Sequence, residues 1–210
     1  SEKFGNEIMQ LGAANCLHRK NTGGAFDAKN TDVSAAVECL KSIVGPLQKK
    51  NIIIFGFGGV GKPLAIALDK IGASVCVSKR NHSLSEIKTY PKLNFVEWGE
   101  KLDKLSNQDI VINATDIGFG NSGKETQSPL SEDEILQLHP DVLVYDIVYS
   151  DAPTVLQRQI KKMGAPFLNG SSMNLAQAVL AFKCCNSTLK QSQLDSVETI
   201  MHETKIKNGW

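Results

Sequence analysis

Six short apolar runs, separated in part by stretches with helical spacing, constrain this chain more than any other feature. They are NIIIFG (51–56), ASVCVS (73–78), NFVEW (94–98), DIVINAT (109–115), DVLVYDIVY (141–149) and PFLNG (166–170). Each is short, rich in Val and Ile as a set, and bounded by Gly, Pro, Asn or Asp, which reads as a strand buried on both faces. Helical patterns lie between them at 60–70, 131–138 and 153–163, and Ser131 with Glu134 forms a capping box ahead of Ile135 and Leu136. Strand and helix in alternation imply an α/β architecture: a doubly wound parallel sheet with helices on both faces.

The turn after the first run decides what such a sheet holds. Residues 56–62, GFGGVGK, fit both G-x-x-x-x-G-K and G-x-G-x-x-G. The first pattern needs Ser or Thr after the lysine to hold a magnesium ion, and Pro63 stands there. A proline in the first helical turn harms nothing, because the amide it removes has no helical partner. The second pattern keeps all its chemistry. Gly56 allows the tight turn, Gly58 lets backbone approach a pyrophosphate and Gly61 lets the helix pack on the sheet; Gly59 and Val60 complete the loop. The expectation is a Rossmann-type dinucleotide site.

An NAD site of this kind usually carries an acid about 20 residues beyond the glycines. From Ala73 to His82 there is none, and Ser78, Lys79, Arg80 and Asn81 offer cations and donors suited to a 2′-phosphate. NADP is therefore the expected cofactor, with Ser78, Lys79 and Arg80 on its phosphate. Asn113, Ala114 and Thr115 end the fourth run, where open sheets bind their ligands, and join the cofactor set.

Composition narrows the partner. The chain has 210 residues, 41% hydrophobic and 21% charged, enough for a real core, and a net charge of +1 without a basic stripe argues against nucleic acid. No run approaches a membrane span, and the opening SEKFGNEIMQ lacks the pattern of a signal peptide. Five cysteines without metal-ligand spacing suit a reduced, cytoplasmic compartment, and His18, His82, His139 and His202 share no cluster, so no metal is expected. A small molecule is the expected ligand. The tail 192–210 reads as an amphipathic helix with Leu194, Val197, Ile200 and Met201 on its apolar side.

Five further segments come in a telling order: LGAANCL (11–17), KNTDVSAAVECL (29–40), VINATDIGF (111–119), YDIVYSDAPTVL (145–156) and NGSSMNLAQAVLAF (169–182). Together with the glycine loop they resemble the shikimate dehydrogenase family, whose members carry G-A-V-N-T, N-T-D, G-x-G-G-x, I-N-A-T, D-x-x-Y-x-x-x-x-T and G-x-x-M-x-x-x-Q-A in the same sequence. The resemblance runs from about residue 11 to about residue 185. It implies reduction of 3-dehydroshikimate to shikimate with NADPH, a step of aromatic amino acid biosynthesis, some relatives accepting quinate or NAD. Asp32 matches the family's catalytic aspartate, although Asn30, Thr31 and Asp32 by themselves read as a helix cap. Asn15, Tyr149 and Gln177 match substrate-pocket positions. The cofactor set extends to Ile147, Gly170 and Met173, the last expected against the nicotinamide.

The departures are as informative. The family's Ser-x-Ser element and its Asn-x-Thr-x-Pro-x-Lys element, which holds the catalytic lysine, are absent, and only ten residues precede Leu11. Neither Lys3 nor Lys29 fits that motif. Cys16 stands at the family's threonine, and Ser171, Ser172 and Asn174 alter the glutamine helix. The resemblance thus implies three parts: a remnant of the substrate domain at 1–47, an NADP-binding domain at 48–170, and C-terminal helices at 171–210 that return to the substrate domain. The chain is expected to be a fragment with weak or no turnover alone, partnered by the missing N-terminal segment or a fused shikimate-pathway domain. The alternative is an NADP-binding, non-catalytic or regulatory protein.

Overall fold

The structure, a computed structural model, describes residues 6–19, 24, 26–120, 122–150, 152–186 and 189–208. Lys3, weighed above, lies outside the described residues. The chain opens with α1 (Asn6–Leu11), an antiparallel hairpin of β1 (Cys16–Arg19) and β2 (Phe26–Lys29), and α2 (Thr31–Val44). There follow β3 (Asn51–Phe55), α3 (Gly61–Ile71), β4 (Ser74–Lys79), α4 (Leu84–Thr89), β5 (Asn94–Glu97), a 3-10 turn at Trp98–Glu100, α5 (Leu102–Leu105) and β6 (Ile110–Asn113). Then come α6 (Glu132–Ile135), β7 (Leu143–Asp146), α7 (Val155–Met163), β8 (Phe167–Asn169), α8 (Gly170–Cys185) and α9 (Gln191–Asn208).

All six apolar runs form strands of one sheet in the order β5-β4-β3-β6-β7-β8, every neighbouring pair parallel. The chain starts in the middle, winds outward to β5, then crosses β3 to build the other half. Such an order leaves a crevice at the carboxyl ends of β3 and β6, where the helices leave in opposite directions.

Alternation along the strands divides the core in two. Ile52 and Ile54 of β3, Val75 and Val77 of β4, Ile110 and Ile112 of β6, and Tyr145 of β7 face one side. There they pack with Val33, Ala36 and Leu40 of α2, Leu64 and Leu68 of α3 and Met173 of α8. Ile53, Phe55, Cys76, Val111 and Val144 face the other side, against Leu105, Ile135, Leu156 and Ile160. The 0% exposure of Ile52 through Phe55 shows why this strand reads as an unbroken apolar run: neither face meets water.

Local chemistry fixes the helix starts. The Ser131 Oγ accepts from the Glu134 amide at 3.2 Å while Glu134 Oε2 accepts from the Ser131 amide at 2.8 Å, the expected capping box, although α6 is shorter than its pattern. Ser83 and Glu86 build a second such box at α4. Thr154 caps α7, whose last turn carries Lys161 and Lys162 against the negative end of the helix dipole. In α9, Leu194, Val197 and Met201 are half-buried, whereas Ile200 is exposed, so the expected apolar stripe is covered only in part.

Candidate cofactor and substrate site

The glycine loop leaves β3 at the crevice. Gly56 sits at φ +95, a conformation that favours glycine, and its amide donates to the Ser78 carbonyl at 2.9 Å. Gly61 starts α3, buried, and a Cβ there would run into the Gly56 carbonyl oxygen. Gly58 and Gly59 differ: both are exposed and a Cβ on either would meet nothing within 4 Å. Val60 precedes α3 without a side-chain cap, and among the described residues the amides of Gly58, Gly59, Val60 and Gly61 donate to no protein acceptor. Four free donors at the positive end of a helix, beside two glycines that the fold does not demand, make an anion cradle. Pro63 lies buried in the first turn.

A ring of aromatics braces this loop. Phe57 meets Tyr90 at 5.6 Å and Phe95 at 5.1 Å, both edge to face, and Lys62 Nζ lies 5.4 Å over the Tyr90 ring. At the end of β4, Lys79 Nζ is 2.6 Å from Glu86 Oε1. This acid lies just beyond the stretch read for the cofactor, and the capping turn of α4 brings it back onto the lysine. Lys79 holds the Glu86 carboxyl below the usual range, first through the hydrogen bond. Arg80 is exposed, and Asn81 turns the chain at φ +56. Arg80 also lies near Asp116, whose carboxyl is lowered mainly by its hydrogen bond with Lys124 and to a smaller degree by the Arg80 charge.

Three of the residues expected at the cofactor have internal side chains. Ser78 is fully buried and its Oγ has no hydrogen-bond partner, so its carbonyl, not its hydroxyl, serves the loop. Met173 is 5% exposed and packs in the core beneath α2, the commoner fate of a methionine at helical spacing. Asn113, also fully buried, donates from Nδ2 to Asp146 Oδ1 at 2.9 Å and to the Ile117 carbonyl at 3.1 Å. Its Oδ1 accepts from Thr115 Oγ1 at 2.6 Å. The half-buried Ala114 and Thr115 therefore rim the crevice while Asn113 holds them in place.

Asp146 is the hub of that network. Its carboxylate accepts from Asn113, from the Val148 amide at 3.2 Å and from Thr154 Oγ1 at 2.9 Å. Burial nevertheless pushes its carboxyl up to about 6 against these three lowering bonds. Sequence reasoning passed over this residue because an acid ending a strand gives no signal of where its carboxylate turns. Gly170 lies alongside: a Cβ there would overlap the carbonyl of Ile147, so α8 must begin with glycine to leave the sheet at this point.

The second polar cluster joins the hairpin, α2 and α8. Asn30 caps α2, accepting from the Val33 amide at 3.0 Å and donating to the Ala13 carbonyl at 3.1 Å. Asn15 Oδ1 accepts from the Thr31 amide at 2.8 Å, and Asn15 Nδ2 donates to Thr31 Oγ1 at 3.0 Å. Thr31 Oγ1 lies 3.3 Å from Gln177 Oε1, to which it donates, and Gln177 Nε2 donates to Asn174 Oδ1 at 3.2 Å. Asp32, half-buried in the first turn of α2, has its carboxyl raised by burial and lowered in part by Asn15. The structure thus brings Asp32, Asn15 and Gln177 together and adds Thr31, 3% exposed, as their link. Tyr149 takes another neighbour: it is 47% exposed and meets Phe119 edge to face at 6.0 Å. Among the described residues no ion pair involves Asp32.

No protein-family model matches the chain. It is 33% identical over 193 residues to a shikimate dehydrogenase (NADP(+)) of Methanocaldococcus jannaschii, covering 87% of this chain and 65% of that protein. It is 31% identical over 180 residues to a shikimate dehydrogenase (NADP(+)) of Methanocella arvoryzae, covering 83% of this chain and 63% of that one. The chain belongs to the shikimate dehydrogenase family. The crystal structure of the Aquifex aeolicus shikimate dehydrogenase superposes with a TM-score of 0.73 at 27% identity, over 93% of this chain and 70% of that one. The chain therefore spans a little under two thirds of the length of the curated shikimate dehydrogenases it matches.

Proposed function

We propose that this chain binds NADP at the β3–α3 loop and presents one wall of a shikimate-type substrate site, in an oxidoreductase that interconverts 3-dehydroshikimate and shikimate. The observation that carries the cofactor reading is the contrast within the loop. Gly56 and Gly61 are glycines because the fold requires them, whereas Gly58 and Gly59 face open space beside four free amides. Backbone without side chains next to unpaired donors is what a pyrophosphate needs. Arg80 and Lys79 would hold the 2′-phosphate, Arg80 freely and Lys79 by giving up Glu86. Ala114, Thr115 and Ile147 would line the crevice toward the nicotinamide end, with Gly170 allowing close approach. The cofactor, when bound, would supply the hydride.

Asp32, Asn15 and Gln177 suit a ligand rich in hydroxyls. Burial raises the Asp32 carboxyl, so the group is poised to accept a proton more readily than an exposed aspartate. The lysine that the family sets beside this aspartate has no counterpart in the motifs of this chain. We therefore propose that turnover by these 210 residues alone is weak or absent, with the lysine supplied from outside them. The five cysteines, none of them in a disulfide, accord with a reducing, cytoplasmic setting, and among the described residues no helix is long and apolar enough to cross a membrane.

Gly58→Ala tests the reading, with NADPH binding followed by fluorescence titration. The variant should unfold within about 0.5 kcal/mol of the parent, as surface changes do, yet lose NADPH binding by tenfold or more, roughly 1.4 kcal/mol. Arg80→Ala should weaken NADPH more than NADH. Unchanged NADPH affinity in Gly58→Ala would remove the pyrophosphate from this loop; equal losses for both nucleotides in Arg80→Ala would remove the 2′-phosphate from Arg80.

A further inference from the structure

We propose that Cys16 and Cys185 are an oxidant-sensitive pair that closes to a disulfide and ties the β1–β2 hairpin to the end of α8. Their sulfurs lie 4.0 Å apart although 169 residues separate them in sequence. Cys184 is close enough to influence the same thiol. Among the described residues these thiols form no group able to hold a metal ion, which leaves sulfur redox chemistry as their shared capacity.

The two partners differ in a way that assigns their order of reaction. Cys185 is exposed at the last position of α8, and Cys16 is buried at the start of β1. Burial, then the hydrogen bond with Cys185, pushes the Cys16 thiol up to about 11, so it remains protonated near neutral pH. Cys185 therefore meets a peroxide first. Its sulfur takes one peroxide oxygen, the O–O bond breaks, and one water leaves a sulfenic acid. The Cys16 sulfur then displaces that oxygen, forming the S–S bond and releasing a second water. Two thiols and one hydrogen peroxide give one disulfide and two waters, sulfur losing two electrons and oxygen gaining them. In a reducing compartment a dithiol returns the pair to thiols.

The location gives the bond a consequence. Cys16 follows Asn15, and Cys185 ends the helix that carries Gln177; both residues meet at Thr31. A covalent tie beside these hydrogen bonds fixes the hairpin against α8 next to Asp32. The inference stands on the sulfur positions and does not depend on the identity of the substrate.

The test treats the intact 210-residue chain with stoichiometric hydrogen peroxide, blocks remaining thiols by alkylation and maps disulfides under non-reducing conditions by mass spectrometry. The expected product is a peptide joining Cys16 to Cys185 that disappears with dithiothreitol. Because the bond closes a loop of well over a hundred residues, the oxidised chain should melt roughly 10 °C higher than the reduced one. Cys185→Ser, a change at an exposed site, should abolish both the joined peptide and the rise in Tm. Joining of Cys184 to Cys185, bridges only between two molecules, or oxidation of Cys185 to sulfinic acid with Cys16 still alkylated would each overturn the proposal.

Discussion

Replacing Asp146 by asparagine should change how stability depends on pH. The carboxyl is 1% exposed and stands at about 6 in the fold, against a reference value of 3.8. The folded state therefore holds this proton more tightly than the unfolded state. Well below pH 4 both states are protonated and ionisation of the group costs nothing. As pH rises from about 4 to about 6 the unfolded chain releases its proton first, and stability falls. Above that window the full penalty is present: a shift of about 2 pH units, at 1.36 kcal/mol each, is about 3 kcal/mol. Asparagine imitates the neutral form. Its oxygen can still accept from Asn113 and Val148, and its amide can face Thr154 Oγ1 once that hydroxyl turns around. Urea unfolding of parent and variant at pH 4, 5, 6 and 7, at one ionic strength, reads the difference directly. The variant should gain about 2 kcal/mol relative to the parent between pH 4 and pH 7, since part of the penalty is already present at pH 4. A difference that stays constant across the series would show that the three hydrogen bonds outweigh burial.

Lys101, 4% exposed, reaches Glu134 Oε1 at 2.6 Å and lies 4.5 Å over the Trp98 ring, so Lys101→Ala should cost about 3–5 kcal/mol in urea unfolding by stranding the carboxylate. Adding Glu134→Gln should recover part of that loss, since glutamine still completes the capping box; no recovery would point to lost packing on Trp98 instead. Gly61→Ala forces a methyl against the Gly56 carbonyl and should destabilise by about 1–3 kcal/mol as well as weaken NADPH, in contrast to Gly58→Ala, which should affect binding alone. Thr31→Val keeps the shape of the side chain but removes the hydroxyl shared by Asn15 and Gln177, with an expected cost of about 1–2 kcal/mol by thermal unfolding.

The four inner strands were legible because burial on both faces leaves no polar alternation, as Ile52 to Phe55 show, and the half-buried edge strands β5 and β8 because each run stops at a turn former. The glycine loop was legible for a related reason: Gly56 and Gly61 answer to backbone geometry that only glycine meets. The hairpin was not. Its strands CLHR and FDAK have too few apolar residues to announce themselves, and the inward side of β1, Cys16 and His18, is covered by α8 from far along the chain. Glu86 escaped notice in the cofactor reading because the pairing with Lys79 depends on where the α4 capping turn aims it, although S-x-x-E was visible at Ser83. The Thr31–Gln177 hydrogen bond and the Cys16–Cys185 approach span 146 and 169 residues, distances that local pattern cannot bridge. Ser78, Asn113 and Met173 show the reverse limit: proximity to a site in sequence says little about which way a side chain points.

Helix α8 runs without a break from the glycine that touches the Ile147 carbonyl to the cysteine beside the hairpin. At 1.5 Å per residue its 16 residues form a rod about 24 Å long, so a tilt of about 5° about Gly170 would sweep the far end through about 2 Å. A push at the near end, such as a nucleotide in the proposed cofactor site would give, would therefore be felt as leverage at the Asn15–Thr31 cluster, with Gln177 riding midway along the arm.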